Sequence, residues 1–220
     1  MALLVTTGRG GARHHRKRQS DSLTVADVGA VLAATASARH LGLSFNRMTT
    51  IHWEAAGVTD DLAATRRVLK RLGDCLRARG EPFAYVWVRE NGDDKGAHVH
   101  IYWRGPVEFP DLRSRLGSWI RAVGGKRRKG VFHTRPVGLT LAHANSGGRT
   151  YDLELDDALD YALKGAGPEA RAAYGIRRDE PGRPMTGKRW GRSRNLGGSD
   201  FSLTVKEQSK RIETPQPVLR

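Results

Sequence analysis

Cysteine is nearly absent: Cys75 stands alone in 220 residues. That excludes an internal disulfide and any zinc site built on thiolate pairs, and it fits a reducing cytoplasm. Long apolar runs are missing too. Nothing approaches the ~20 residues of a spanning helix, so no membrane partner is expected. The opening MALLV is too short for a signal-peptide core, and its basic stretch follows it instead of preceding it. Acidic residues are scarce, 23 Asp+Glu against 38 Lys+Arg, for a formal net charge of +15. Such an excess points to a polyanionic partner, nucleic acid before an anionic lipid surface. There is no G-x-x-x-x-G-K-[ST] loop, hence no sign of a nucleotide-driven motor. Nothing marks a small-molecule substrate.

Hydrophobic residues, at 38%, suffice for one packed domain with extensions. Residues 8–22 are Gly-, Ser- and Arg-rich and read as a basic tail. Residues 23–39 read as a helix and 46–53 as a strand. Residues 59–79 are the clearest helix, with Thr59 as cap, Asp60 and Asp61 in the first turn, an apolar stripe from Leu62 to Leu76, and Gly80 as stop. Phe83, Tyr85 and Trp87 alternate with Ala84, Val86 and Val88, a strand that the turn NGDDKG joins to a second strand at 97–103. A helix at 110–122, a basic turn and the short strand VFHTRPV follow. Residues 144–149 read as a loop, Asp156 to Lys164 as a helix, and FSLTV at 201–205 as a last strand. The order β-α-β-β-α-β plus a helix predicts an α+β fold: an antiparallel sheet of about five strands with helices mainly on one face. Residues 1–40 read as a basic extension with a helix, 41–205 as the main domain, and 206–220 as a polar tail.

Within ENGDDKGAHVHIYW, His98, His100 and Tyr102 share one strand face, and Val99, Ile101 and Trp103 the other. Two imidazoles so placed can converge on one cation. Glu90, across the hairpin, is the expected third ligand, with Asp93 and Asp94 as nearby carboxylates and His52 and His133 as weaker candidates. One carboxylate with two imidazoles suits Mn2+ or Mg2+ acting on phosphate, and zinc also fits. In DDALDYALKG, Leu155, Leu159 and Leu163 form the core stripe, and Tyr161 lies roughly 200° from Leu159. An aromatic off the apolar stripe is a candidate nucleophile, with Tyr151 and Tyr174 as alternatives. Lys164, at i+3, can sit beside the phenol oxygen and favour its anion, or neutralise a phosphorane-like transition state. Its blander role is complementing the helix dipole.

Taken in order, these motifs resemble those of the HUH endonucleases, the fold of rolling-circle replication initiators, relaxases and some transposases. HVH resembles the family's His-hydrophobic-His motif, and YALK the Y-x-x-K motif of single-tyrosine initiators. RMTTIHW stands in place of the first strand motif, Glu90 where many initiators carry an acidic ligand, and GKRWGRSRNLG resembles a stretch downstream of the tyrosine helix. The resemblance covers roughly residues 45–200. It implies a ferredoxin-like, RRM-like palm with a divalent metal on Glu90, His98 and His100. It implies that Tyr161 cuts one strand of a single-stranded or hairpin DNA origin through a 5′-phosphotyrosine link, with Lys164 positioning or stabilising. It also implies initiation of rolling-circle replication of a phage or plasmid, with unwinding and synthesis left to host helicase and polymerase.

The basic clusters expected to touch DNA are Lys126, Arg127, Arg128 and Lys129, and Arg189, Arg192 and Arg194 around Trp190, whose indole can stack on a base. Two other readings fit the same motifs. One is a catalytically silent nucleic-acid-binding module. The other is a metal-dependent hydrolase that uses water and forms no covalent intermediate.

Overall fold

The structure is a computed structural model that describes residues 18–138, 140–146 and 148–197. Its elements run β1 (Gln19–Ser20), α1 (Val25–His40), β2 (Arg47–His52), α2 (Asp61–Arg77), β3 (Tyr85–Gly92), β4 (Gly96–Trp103), α3 (Leu112–Ala122), β5 (Phe132–Pro136), α4 (Leu141–Ser146), α5 (Arg149–Ala162), α6 (Pro168–Tyr174), β6 (Met185–Thr186) and β7 (Trp190–Arg192). A 3-10 turn, Arg194–Leu196, follows β7. Five strands form one antiparallel sheet in the order β5-β2-β4-β3-β7. This is the α+β architecture expected. β1 and β6 make a small separate pairing.

The alternation of β3 and β4 divides the molecule. Trp87, Val99, Ile101 and Trp103 face α2 and α3, where Val68, Leu69, Leu72, Leu116 and Ile120 complete a buried apolar cluster. Val86, Val88, Tyr102 and Met48 face the other way. There they meet Val28, Val31 and Ala34 of α1 and Leu155, Leu159 and Ala162 of α5. The helical cover, expected mainly on one face, therefore extends over part of the second. α1, read as part of an N-terminal extension, lies within this second cluster. It starts on a capping box between Thr24 and Asp27. Among the described residues, no helix is long and apolar enough to cross a membrane.

Several boundaries differ from expectation for physical reasons. Asp60, not Thr59, caps α2, its carboxylate accepting from the Ala63 amide at 3.0 Å. The hairpin strands run on to Gly92 and Gly96, leaving a tight turn that closes on Gly96 at φ +58°, a conformation natural to glycine. α5 begins at Arg149, inside the expected loop. Tyr151 drives this: it is fully buried, and its hydroxyl donates to the Phe45 carbonyl at 2.7 Å. Lys164 is not in the helix. α5 ends at Ala162, and Leu163 caps it. FSLTV lies outside the described residues. The fifth strand is β7, from a stretch expected to be irregular, and Gly191 permits it. A Cβ there would meet the Trp87 indole at 2.6 Å.

Arg89, on the β3 face opposite Val88, lies buried against α2 in a two-pronged ion pair with Asp61, at 2.5 and 2.7 Å. Removing one partner leaves an uncompensated buried charge. Asp61→Ala should therefore lower unfolding stability by about 3–5 kcal/mol. Urea denaturation followed by circular dichroism checks this; a loss under about 1 kcal/mol would put the pair among ordinary surface bridges.

Candidate metal centre

Strand register assembles the site. Glu90 pairs with His98, which pairs across β2 with His52. One step along, Val88, His100, Thr50 and His133 form a second row across β3, β4, β2 and β5. Directly opposed residues in antiparallel strands share a face. Both rows thus lie on the α5 side of the sheet. Glu90, His98 and His100 are 6%, 2% and 1% exposed. Each offers one ligand atom, and these atoms lie within 4.8 Å of one another. This buried group can hold a metal ion.

Hydrogen bonding prepares the donors. The Gly96 carbonyl sits 2.8 Å from His98 Nδ1. A carbonyl only accepts, so Nδ1 donates to it, and Nε2 is left facing Glu90 Oε2, 3.0 Å away. At that distance the two atoms share a proton or a cation. His100 Nδ1 is 2.9 Å from the Thr50 hydroxyl. Its Nε2 approaches Glu90 Oε2 at 3.4 Å without hydrogen-bond geometry. His100 Nε2 and Glu90 Oε1 are both buried with no hydrogen-bond partner. Orphaned lone pairs of this kind are costly unless they meet a cation.

The charge states fit as well. Burial works to raise the Glu90 pKa, but the imidazoles of His100 and His98 and the Lys164 ammonium outweigh it and hold the carboxyl at about 2. Burial lowers His100 more than Glu90 raises it, so the ring is neutral. An ionised carboxylate and a neutral imidazole are the forms that ligate. His52 is pushed down to about 4 by burial and then by its histidine neighbours, and His133 is lowered by burial.

Tyr161 borders this group. Its ring is half-buried and meets His100 edge-on, with centroids 5.2 Å apart. Lys164 Nζ lies over the Tyr161 ring at 4.8 Å, is 3.6 Å from Glu90 Oε2, and donates to Glu180. Burial lowers the Lys164 pKa, but Glu180 and Glu90 more than offset it and the net shift is upward. Tyr161, His100, Thr50, His52 and His133 line a pocket of about 250 Å³, with Arg135, Arg178 and Lys95 adding positive charge.

The expected residues thus divide. Glu90, His98, His100, Tyr161 and Lys164 come together. Asp93 instead pairs with Arg183 at 2.9 Å on the surface, and Asp94 is exposed, so Glu90 is the carboxylate of the buried group. His52 and His133 stand beside the buried group, the His52 ring 5.3 Å from His98 and 6.2 Å from His133. Tyr151 is spoken for by Phe45, and Tyr174 packs against the α1 side of the core. Lys126, Arg127, Arg128 and Lys129 are all exposed. Arg189 is not a surface cation: it is 5% exposed and donates to the Ser20 hydroxyl and carbonyl at 2.9 and 2.6 Å. Trp190 donates to the Asp27 carboxylate at 2.7 Å, while Arg192 and Arg194 are exposed.

Arg178 escaped the sequence reading. Its guanidinium carbon lies 5.5 Å from the Tyr161 ring, and its Nε is buried without a hydrogen bond. Asp157, at 3.4 Å, and Asp160, also at 3.4 Å, hold it there. Only the register of RR against two aspartates on α5 could have signalled it.

Mn2+ should raise the melting temperature of the wild-type chain. At a hundredfold excess over Kd the gain is about 2.7 kcal/mol. Glu90→Gln should abolish that gain, and Thr50→Val should weaken Mn2+ binding about 10–100-fold by releasing His100. Titration calorimetry reads both, and an unchanged Kd in Glu90→Gln would remove Glu90 from the ligand set. The chain matches none of the family models, curated proteins or solved structures compared with it, so the chemistry of this centre is argued from its own geometry.

Proposed function

We propose that the chain is a metal-dependent tyrosine endonuclease that nicks and rejoins single-stranded DNA, in the manner of the HUH superfamily that its motifs resemble. One observation carries this reading: a half-buried tyrosine stands edge-on, 5.2 Å by ring centroids, to a histidine of a buried Glu-His-His group. A nucleophile beside a cation site is what phosphodiester cleavage needs. The +15 net charge supports a polyanionic substrate.

Glu90, His98 and His100 would hold Mn2+ or Mg2+, which when bound polarises a phosphate oxygen. The Tyr161 hydroxyl gives up its proton to water as its oxygen attacks phosphorus, the P–O3′ bond breaks, and the leaving oxygen takes a proton from water to become a 3′-hydroxyl. The DNA 5′ end stays on Tyr161 as a phosphodiester, so attack by a 3′-hydroxyl reverses the step and joins ends. Lys164 and Arg178 flank the Tyr161 ring and place positive charge where the phosphorane gathers negative charge. His52 and His133, neutral and half-buried, line the same pocket as hydrogen-bonding groups. In this reading the chain works in the cytoplasm on an origin or hairpin, starting rolling-circle replication of a phage or plasmid, with helicase and polymerase supplied by the host.

Incubation with Mn2+ and single-stranded DNA carrying candidate origins, followed by a denaturing gel, tests the proposal. A protein–DNA adduct is expected from wild type, and none from Tyr161→Phe or in chelator. Cleaved DNA without an adduct would replace the proposal with a water-using hydrolase. Binding without any cleavage would leave a nucleic-acid-binding module.

A further inference from the structure

On the sheet face away from Tyr161, between α2 and the edge strand β7, runs an open groove of about 790 Å³. Its floor is aromatic. Phe83 and Tyr85 lie with ring centroids 4.9 Å apart, and both are half-buried. Gly73 of α2 lets the Phe83 ring in, since a Cβ there would stand 3.1 Å from it. The Ser193 hydroxyl accepts from the Tyr85 amide at 3.1 Å, and the Ser193 amide donates to the Tyr85 carbonyl at 3.0 Å, fixing the far wall.

The rim is basic, and its charge is unspent. Asp74 is met by Lys70 at 2.6 Å and Arg77 at 2.9 Å. Arg66, Lys188, Arg192 and Arg194 are exposed and make no ion pair among the described residues, against Glu81 as the remaining acid. Unpaired like charges around an aromatic floor repel one another, and the arrangement makes physical sense when an anion with flat, stackable groups enters. Single-stranded nucleic acid has both features, phosphates for the cations and unpaired bases for the rings. A duplex hides its base faces and would leave Phe83 and Tyr85 unused.

We infer that this groove is a second binding site for single-stranded DNA, separate from the metal centre, with Arg66, Lys188, Arg192 and Arg194 on phosphates and Tyr85 and Phe83 beneath a base. The inference rests on the reading of DNA as substrate. It gives the protein a hold on the strand that does not depend on the tyrosine link. The segment held in the groove differs from the segment being cut, because β3 and β4 separate the two.

Fluorescence anisotropy with a labelled single-stranded oligonucleotide tests it, using full-length Tyr161→Phe protein in chelator so that neither cutting nor metal contributes. Added to that background, Arg66→Glu with Arg192→Glu should weaken binding about tenfold or more and reduce the slope of log affinity against log salt by about two. Arg113→Glu with Arg121→Glu, an equal charge change on α3, should weaken it far less. Tyr85→Leu should weaken it about fivefold or more at high salt, where stacking outlasts charge. Equal losses from both charge reversals would overturn the proposal in favour of general attraction. So would a duplex of the same length binding as tightly as the single strand. Because no cleavage is read, this result stands apart from the adduct assay: groove binding without an adduct would sink the nuclease reading alone, and an adduct without groove binding would sink this one alone.

Discussion

A carboxylate buried in the middle of a sheet is the constraint on which the rest of this molecule depends. Glu90 is almost wholly removed from water, yet it stays ionised. A buried anion survives only if cations and donors surround it. Here the surroundings come from two directions: β4 supplies His98 and His100, and the residue after the α5 cap brings the Lys164 ammonium to 3.6 Å, where it also donates to Glu180. Even so, one Glu90 oxygen and one His100 nitrogen stay unmatched. A cation bound by Glu90, His98 and His100 would match both.

The two clusters of the core serve that point differently. α2 and α3 seal the far face with tryptophans and leucines and keep it dry. α1 and α5 cover only part of the near face. The uncovered part holds the polar residues, with a pocket of about 250 Å³ between them and Tyr161. Rigid backing on one side and a half-open front on the other is what holds ligands in place while leaving space for a substrate.

Much of this was legible in the chain. The hairpin and its histidines showed themselves through period-2 alternation, which a strand imposes whatever surrounds it. Glu90 followed from counting back across the turn. What stayed hidden was set by tertiary contact. The helix was expected only from Asp156, because Gly147 and Gly148 break the local pattern before it, and Tyr151 takes its helical place by reaching Phe45. β7 is three residues containing a glycine, too short to show a strand pattern, and Gly191 lets it lie against the Trp87 indole. Arg189 looked like its basic neighbours, and only the path of residues near Ser20 turns it inward. Arg178 carries no local signal at all.

β3 is read on both sides. Val86, Val88 and Glu90 belong to the metal face, and Tyr85, Trp87 and Arg89 to the α2 face. Point changes can therefore tune either face while sparing the other. A single inserted or deleted residue cannot. It would swap every side chain across the sheet, turning Arg89 toward the histidines and Glu90 toward the tryptophans. This strand is open to revision letter by letter and closed to any change of length.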